Sequence, residues 1–172
     1  MLDGDEIERQ VNAFAEEVVQ IARRNLKIKS NTNFRGERYK STRKPRRIEA
    51  SGKTGASLGH KLRVMKNSYE LQFTGAPETQ FVEYGRKAGK AAPTKNIKEW
   101  IRDKKVKPYV TTSSGGRKFV RRTPRRLRIM AYLIARKIGK EGTQPTYFYE
   151  AAVNEALEKH LNIIENGLAA DI

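Results

Sequence analysis

Histidine, cysteine and clustered carboxylates are the residue types that most often carry catalysis or bind metals, and this sequence offers few of them. It contains two histidines, His60 and His160, and no cysteine. Neither histidine has another histidine or a cysteine nearby to complete a metal site. The lack of cysteine also excludes disulfides and a thiol nucleophile. The sequence therefore predicts no metal site, and it fits a protein made in a cytosol.

A glycine-containing segment at residues 85–91 is partly similar to a phosphate-binding loop. That loop needs four residues between its glycines and a Ser or Thr directly after its lysine, because the hydroxyl binds a metal ion. Here three residues separate Gly85 from Gly89, and Ala91 follows Lys90. The segment is therefore not expected to bind a nucleotide.

A nuclease would combine several carboxylates with a lysine, and the sequence contains residues of those types. They are Glu78, Glu83, Glu99 and Asp103, with Lys104 as the lysine. Their spacing alone does not exclude a nuclease, but such groupings arise by chance in a chain in which 32% of the residues are charged, and no catalytic constellation stands out. We therefore predict that the protein is not an enzyme and uses no cofactor; a small enzyme is the least favoured alternative.

Charge is the strongest signal in the sequence, because 36 Lys and Arg outnumber 19 Asp and Glu and give a net charge of +17. Residues 23–66 carry +13 and residues 86–140 carry +17, whereas residues 1–22 and 141–172 each carry −5. Basic segments neutralise the phosphates of DNA or RNA. They also complement acidic proteins, including the acidic ends of another copy. A solvated basic face without a partner is the third interpretation.

Apolar spacing predicts the elements that must position these charges. Helices are expected over residues 5–28, after Pro93, from Pro124 to Gly139 or Gly142, and over about 147–165, with hairpins at about 60–74 and 107–121. Thr94 is the expected N-cap of the helix that follows Pro93. The predicted fold class is α+β, with a small antiparallel sheet packed with a long N-terminal helix and C-terminal helices.

The length predicts one domain over residues 1–165, followed by a loose tail at 166–172. Within it, residues 29–57 are expected to form a basic flexible stretch without regular elements, and residues 107–121 a protruding hairpin arm. No run approaches the roughly 20 apolar residues of a membrane span. The acidic N-terminus is unlike a secretory signal, so we expect no membrane contact.

Two motifs lie on either side of the second basic segment, residues 86–140. The sequence FVEYG lies at residues 81–85, directly after a hairpin, and QPTYFYEAA at residues 144–152 opens the last helix; the Trp100 helix lies between them. This order resembles the tail-completion and neck (head–tail joining) proteins of tailed phages, with their V-E-(Y/F)-G turn and (R/K/Q)-P-x-x-F-x-x-(P/A)-A segment. The resemblance covers roughly residues 56–160. The chain departs from it in residues 30–57 and 107–121, which are longer and more basic than a minimal member needs.

The resemblance implies a structural protein of a bacteriophage virion. Its copies would form a ring in the neck that joins the portal and adaptor of the capsid to the tail proteins, and genome DNA would pass through the ring. The expected partners are therefore its own copies, portal or adaptor and tail proteins, and DNA contacted at its phosphates without sequence preference. The protein would be made in the bacterial host cytoplasm and located in the virion.

Two sets of residues follow as candidate contacts. The side chains expected to contact DNA or acidic partner proteins are Arg43, Arg46, Arg47, Arg117, Arg121, Arg122, Arg125 and Arg126. For the first three, mobile solvated side chains are an open alternative. The aromatic residues expected in the core or at a seam between subunits are Phe81, Tyr84, Trp100 and Phe148, with Trp100 favoured as core.

The main alternative to a virion protein is a free, sequence-independent nucleic-acid-binding protein, such as a nucleoid- or ribosome-associated factor. The composition supports this alternative equally well. No helix-turn-helix, zinc module or RNA-binding aromatic pair is evident, so either interpretation predicts phosphate contact rather than base readout.

Overall fold

The computed structural model describes residues 4–39, 45–49, 51–66 and 68–170, without the side chains of residues 4, 6, 46, 47 and 162–170. Its elements are α1 (Gly4–Lys27), β1 (Lys29–Ser30), β2 (Arg46–Arg47), α2 (Lys53–Ser57), β3 (Gly59–Met65), β4 (Ser68–Thr74), α3 (Thr79–Glu83), α4 (Thr94–Asp103), β5 (Tyr109–Thr111), β6 (Arg117–Phe119), α5 (Pro124–Glu141) and α6 (Phe148–Ala170). The predicted α+β class is confirmed, with its small antiparallel sheets, long N-terminal helix and C-terminal helices.

The chain forms two compact units. Unit 1 comprises Met1–Tyr84 and Pro145–Ile172, and unit 2 is the intervening segment Gly85–Gln144. Unit 2 is therefore an insertion in the chain of unit 1.

The core of unit 1 lies between α1 and α6, where both helices bury residues spaced by four. Along α1 these are Val18, Ala22 and Leu26, and along α6 they are Phe148, Ala152 and Ala156, each 0% exposed. Alanines on α6 let the two helix backbones approach, because small side chains shorten the distance between helix axes. The apolar periodicity of α1 that predicted a helix therefore also identifies its buried face.

The hairpin β3–β4 packs on α1 and has the predicted antiparallel pairing. Its register places His60 opposite Phe73 and Leu62 opposite Leu71. Arg63 lies opposite Glu70 and forms an ion pair with it at 3.8 Å, between two exposed side chains. Such a surface pair contributes little stability.

Residues 29–57 contain regular elements, so the expectation of none is wrong for the described part. Strands β1 and β2 pair Lys29 with Arg47, and α2 occupies Lys53–Ser57. One side chain of α1 fixes this segment: Arg23 donates to the carbonyls of Gly55 and Leu58 at 3.0 and 2.8 Å. Long-range hydrogen bonds of this kind leave no periodic signal. Residues 40–44 and 50 lie outside the described residues.

Unit 2 consists of the helices α4 and α5, which pack together, and the hairpin β5–β6 between them in sequence. Its core is small: Ile101, Pro108, Ala131 and Ala135 are the buried residues of Gly85–Gln144, a segment that the structure describes completely. The strand residues of the hairpin are all exposed. A 60-residue unit with so little buried apolar surface gains little stability from its core.

Four helix ends differ in how well the sequence predicted them. Thr123 caps α5 as expected, because its Oγ1 accepts a hydrogen bond from the Arg126 amide at 3.3 Å, and Gly142 follows the last turn with φ +71°. At α4 the prediction is wrong: Pro93 is the N-cap in an extended conformation, and its carbonyl accepts the first helical hydrogen bond from Ile97. Helix α6 continues to Ala170, where the sequence predicted a loose tail.

The chain segments that enter and leave unit 2 are paired on both sides of the unit boundary. In unit 1 the Thr146 amide donates to the Val82 carbonyl at 3.1 Å. In unit 2 Arg86 and Thr143 exchange two backbone hydrogen bonds of 3.0 and 2.8 Å. A side chain on Gly142 would collide with the Arg86 carbonyl, so this position requires glycine. In each unit, the two points at which the chain passes to the other unit therefore lie side by side.

Candidate functional site

Positive charge is concentrated in unit 2. Its 60 residues hold nineteen Lys and Arg against three Asp and Glu, a formal charge of +16. Unit 1 holds seventeen basic and sixteen acidic residues, a formal charge of +1. Unit 2 therefore carries almost the whole net charge of the protein, and its surface is the candidate functional site.

The hairpin of unit 2 presents aromatic and basic side chains on one face. Tyr109 lies opposite Phe119, and Thr111 lies opposite Arg117, so these four side chains share a face because residues two apart in a strand point the same way. Tyr109 is 48% exposed and Phe119 is 65% exposed. The Arg117 guanidinium stacks over the Tyr109 ring at 4.7 Å from its centroid. This face can offer both cations and flat apolar surface to a ligand.

The start of α5 gathers four further arginines around a helix N-terminus. Arg121 and Arg122 precede the cap, and Arg125 and Arg126 lie in the first turn, which contains no acidic residue. Arg126 Nη1 donates to the Arg121 carbonyl at 3.1 Å, which fixes the two segments together. Helix N-termini carry a partial positive charge and normally attract acidic side chains. The start of α5 therefore has an excess of positive charge, which a bound anion would neutralise.

These arginines are not neutralised within the part of the chain that the structure describes. No described carboxylate lies within ion-pairing distance of Arg121, Arg122 or Arg125, whereas Lys137 pairs with Glu141 at 3.6 Å farther along α5. The predicted contact residues Arg117, Arg121, Arg122, Arg125 and Arg126 are all exposed. The arrangement can therefore attract phosphates or carboxylates of a partner.

The two motif segments contact each other inside unit 1. Glu83 is 4% exposed, and its carboxylate oxygens accept hydrogen bonds from the backbone amides of Tyr149 and Glu150 at 2.9 and 3.0 Å. Thr146 Oγ1 donates to the Val82 carbonyl at 2.8 Å. Glu83 therefore caps the N-terminus of α6, and burial raises the pKa of its carboxyl although the backbone amides oppose that shift. The role of this glutamate is structural.

A loop from the first basic segment, residues 23–66, also contacts the junction that Glu83 and Thr146 form. The Phe34 amide donates to the Thr146 carbonyl at 3.0 Å. The Arg35 guanidinium makes a bidentate pair with Glu150 at 2.7–3.0 Å and lies 3.9 Å above the Tyr147 ring. The sequence places Arg35 only in the basic stretch at 29–57 that was expected to be flexible, because a partner 115 positions away gives no local signal.

The remaining candidate residues differ in their exposure to solvent. Phe148 is in the core at 0% exposure, whereas Phe81, Tyr84 and Trp100 are 47, 71 and 38% exposed. The expectation that Trp100 lies in the core is wrong, because the adjacent Ile101 occupies the interior face of α4. Arg43 lies outside the described residues. Arg46 and Arg47 form β2, with side chains that are not described.

The residues considered for metal binding or catalysis do not assemble in the described part of the chain. No group of three or more His, Cys, Asp or Glu side chains there could hold a metal ion. His160 instead lies 3.2 Å from Glu17 and packs edge-on against Phe14. Among the described helices, none combines the length and apolar character needed to cross a membrane.

The chain was also compared with known proteins. Neither the protein-family models, nor the curated proteins, nor the solved structures gave a match.

Proposed function

We propose that this protein is a structural component of a tailed-bacteriophage virion. Copies of it form a ring in the neck, between the portal and adaptor of the capsid and the tail, and genome DNA passes through the ring. In this proposal unit 1 carries the assembly fold, and unit 2 directs its basic side chains toward DNA or acidic neighbours.

The contact between the two motif segments is the observation that carries the proposal. Residues 81–85 and 144–152 are the parts of the sequence that resemble neck and tail-completion proteins. Through Glu83 and Thr146 these segments bind each other, although unit 2 separates them in sequence. The fold thus joins the two segments that the resemblance singles out into one hydrogen-bonded junction. The contact supports the view that they belong together as the signature of one fold.

The charge of unit 2 supports a role beside DNA. A formal charge of +16 on 60 residues favours contact with phosphates through counterion release, without reading the base sequence. The nearly neutral unit 1 can pack against further copies without large electrostatic repulsion.

Mass spectrometry of gradient-purified particles of the phage that encodes this protein tests the proposal. We expect the protein at a fixed ratio to the portal protein, equivalent to one ring per particle. A phage with the coding sequence interrupted should accumulate filled capsids and separate tails, and a plasmid copy should restore joined particles. Abundance in infected cells together with absence from particles would contradict the proposal.

The second candidate is a free nucleic-acid-binding protein, which the charge of unit 2 favours on its own. It predicts a monomer that binds duplex DNA with a steep salt dependence and never enters virions. Sedimentation of the purified protein, together with the particle analysis above, separates the two candidates.

A further inference from the structure

A groove in unit 2 lies where the hairpin joins the two helices. It has a volume of about 720 Å³, and its lining residues are Arg102, Lys105, Lys107, Val120, Arg121 and Arg122. Five of these six side chains are cationic and none is acidic, so the groove concentrates one sign of charge. A concave site lined by a single sign of charge raises the local concentration of the opposite ion.

The walls of the groove are held in place by backbone hydrogen bonds. Arg102 lies in the last turn of α4, Lys105 and Lys107 follow it, and Arg121 and Arg122 link β6 to α5. The Val120 amide donates to the carbonyl of the buried Pro108 at 3.0 Å, which ties the two walls together. The five cations are therefore brought together by the fold.

Lys105 has a backbone conformation that its side chain does not favour. Its φ is +51°, in the left-handed region, and it occupies the position after the α4 cap where glycine is usual. The Lys105 amide bonds to the Arg102 carbonyl and the Val106 amide to the Ile101 carbonyl, both at 3.0 Å, as in a regular helix stop. Glycine would form this turn with less strain. A lysine here is consistent with a use for its charge in the groove.

We infer that this groove binds the sugar–phosphate backbone of nucleic acid, with Lys105 at its α4 wall. Lysine and arginine donate charge-assisted hydrogen bonds to phosphate oxygens. Five cations along one open groove match several consecutive phosphates better than a single ion. The inference rests on the part of the proposed function in which unit 2 contacts DNA, and it assigns that contact to one groove.

Fluorescence anisotropy with a labelled mixed-sequence 20-base-pair duplex, measured across a salt series, tests the inference on the full chain. The groove variant combines Lys105→Gly with Arg121→Gln and Arg122→Gln. Removing three phosphate contacts should lower the slope of log affinity against log salt by about 0.9 per contact, and the affinity at least tenfold at low salt. Lys105→Gly alone should weaken binding several-fold while raising the melting temperature, because it removes both charge and strain.

The matched control removes three charges from the same unit outside the groove, through Lys95→Gln, Arg136→Gln and Lys140→Gln, all at exposed positions. We expect it to change the affinity less than threefold. Equal losses in the control and groove variants would overturn the inference, because binding would then follow total charge. A groove variant that binds DNA normally but no longer binds polyglutamate would also overturn the inference, because the groove would then serve an acidic protein partner.

The two proposals fail in different ways. If the groove variant enters particles at the normal ratio and binds DNA like the unaltered protein, the groove assignment fails and the neck role stands. If the unaltered protein is absent from particles but the groove variant loses DNA binding, the neck role fails and the groove stands.

Discussion

Unit 1 and unit 2 belong to one chain but differ in what holds them together. Unit 1 buries apolar side chains along two long helices and balances its charges through pairs such as Arg24 with Glu155 and Lys159 with Glu17. Unit 2 has four buried residues and a formal charge of +16. Burial supplies most of the favourable free energy of folding, whereas unbalanced charge opposes compaction. The comparison indicates that apolar burial stabilises unit 1, whereas unit 2 carries an unbalanced positive charge on a small core, as the proposed contact with an anionic partner requires.

The largest effect should come from the core of unit 1. Phe148→Ala removes a ring that is 0% exposed between α1 and α6, and we expect it to lower the free energy of unfolding by about 3–5 kcal/mol. Phe119→Ala removes a ring that is 65% exposed in unit 2, and we expect a change within about 0.5 kcal/mol. Urea unfolding followed by circular dichroism measures both. If the two variants lose similar amounts of unfolding free energy, the stability of unit 1 does not depend on apolar burial more than that of unit 2.

An intermediate effect should come from the junction of the two motifs. Glu83→Ala leaves the amides of Tyr149 and Glu150 without their acceptor, which should cost about 1–3 kcal/mol at pH 7. Glu78→Ala is the control, because this exposed residue makes no side-chain cap for α3. Urea unfolding again gives the comparison, and equal effects at the two glutamates would contradict the capping role.

The same glutamate predicts a pH dependence with a defined sign. Because the folded-state pKa of Glu83 is raised above 4.5, the folded state binds more protons than the unfolded state just above that pH. The stability that comes from this raised pKa is separate from the capping hydrogen bonds, which remain at pH 7. It is fully present below pH 4.5 and is lost as the pH rises through the folded-state pKa. Glu83→Gln should remove this component from the pH profile, and an unchanged profile would show that Glu83 does not titrate in this way.

The smallest effect should come from the start of α5 in unit 2. Arg125→Glu places an acidic residue in a first turn that has none, and we expect about 0.3–1 kcal/mol of stabilisation together with weaker DNA binding. Hydrogen exchange of the α5 amides measures the local gain, and anisotropy measures the binding. Arg136→Glu in the middle of α5 is the control. A loss of protection in Arg125→Glu would show that Arg125 stabilises the unit in a way its charge does not explain.

The sequence predicted what depends on local periodicity. The helix α1, the β3–β4 hairpin and the start of α5 at Pro124 follow from spacing or from neighbouring residues. The partners of Arg23, Arg35 and Glu83 lie far away in sequence, so no local pattern revealed them. The candidate arginines were found by charge alone.

The less predictable features have physical causes of their own. Lys105 stands where a glycine would signal the end of a helix, so the left-handed turn and the groove beside it left no compositional trace. Trp100 was expected in the core, but Ile101 takes the interior position and leaves the indole 38% exposed.

The paired chain ends of the two units have a consequence for how such a chain changes over evolutionary time. Because the Val82 carbonyl and the Thr146 amide are 3.1 Å apart, unit 1 already forms a closed scaffold at the point where unit 2 is inserted. The entropy of closing a loop grows only with the logarithm of its length, so replacing 60 residues by a short linker changes that term by about 2 kcal/mol. Recombination at this point can therefore exchange one insert for another of different charge or length. The scaffold needs no new residues to receive it, and partner preference can diverge while the core stays the same.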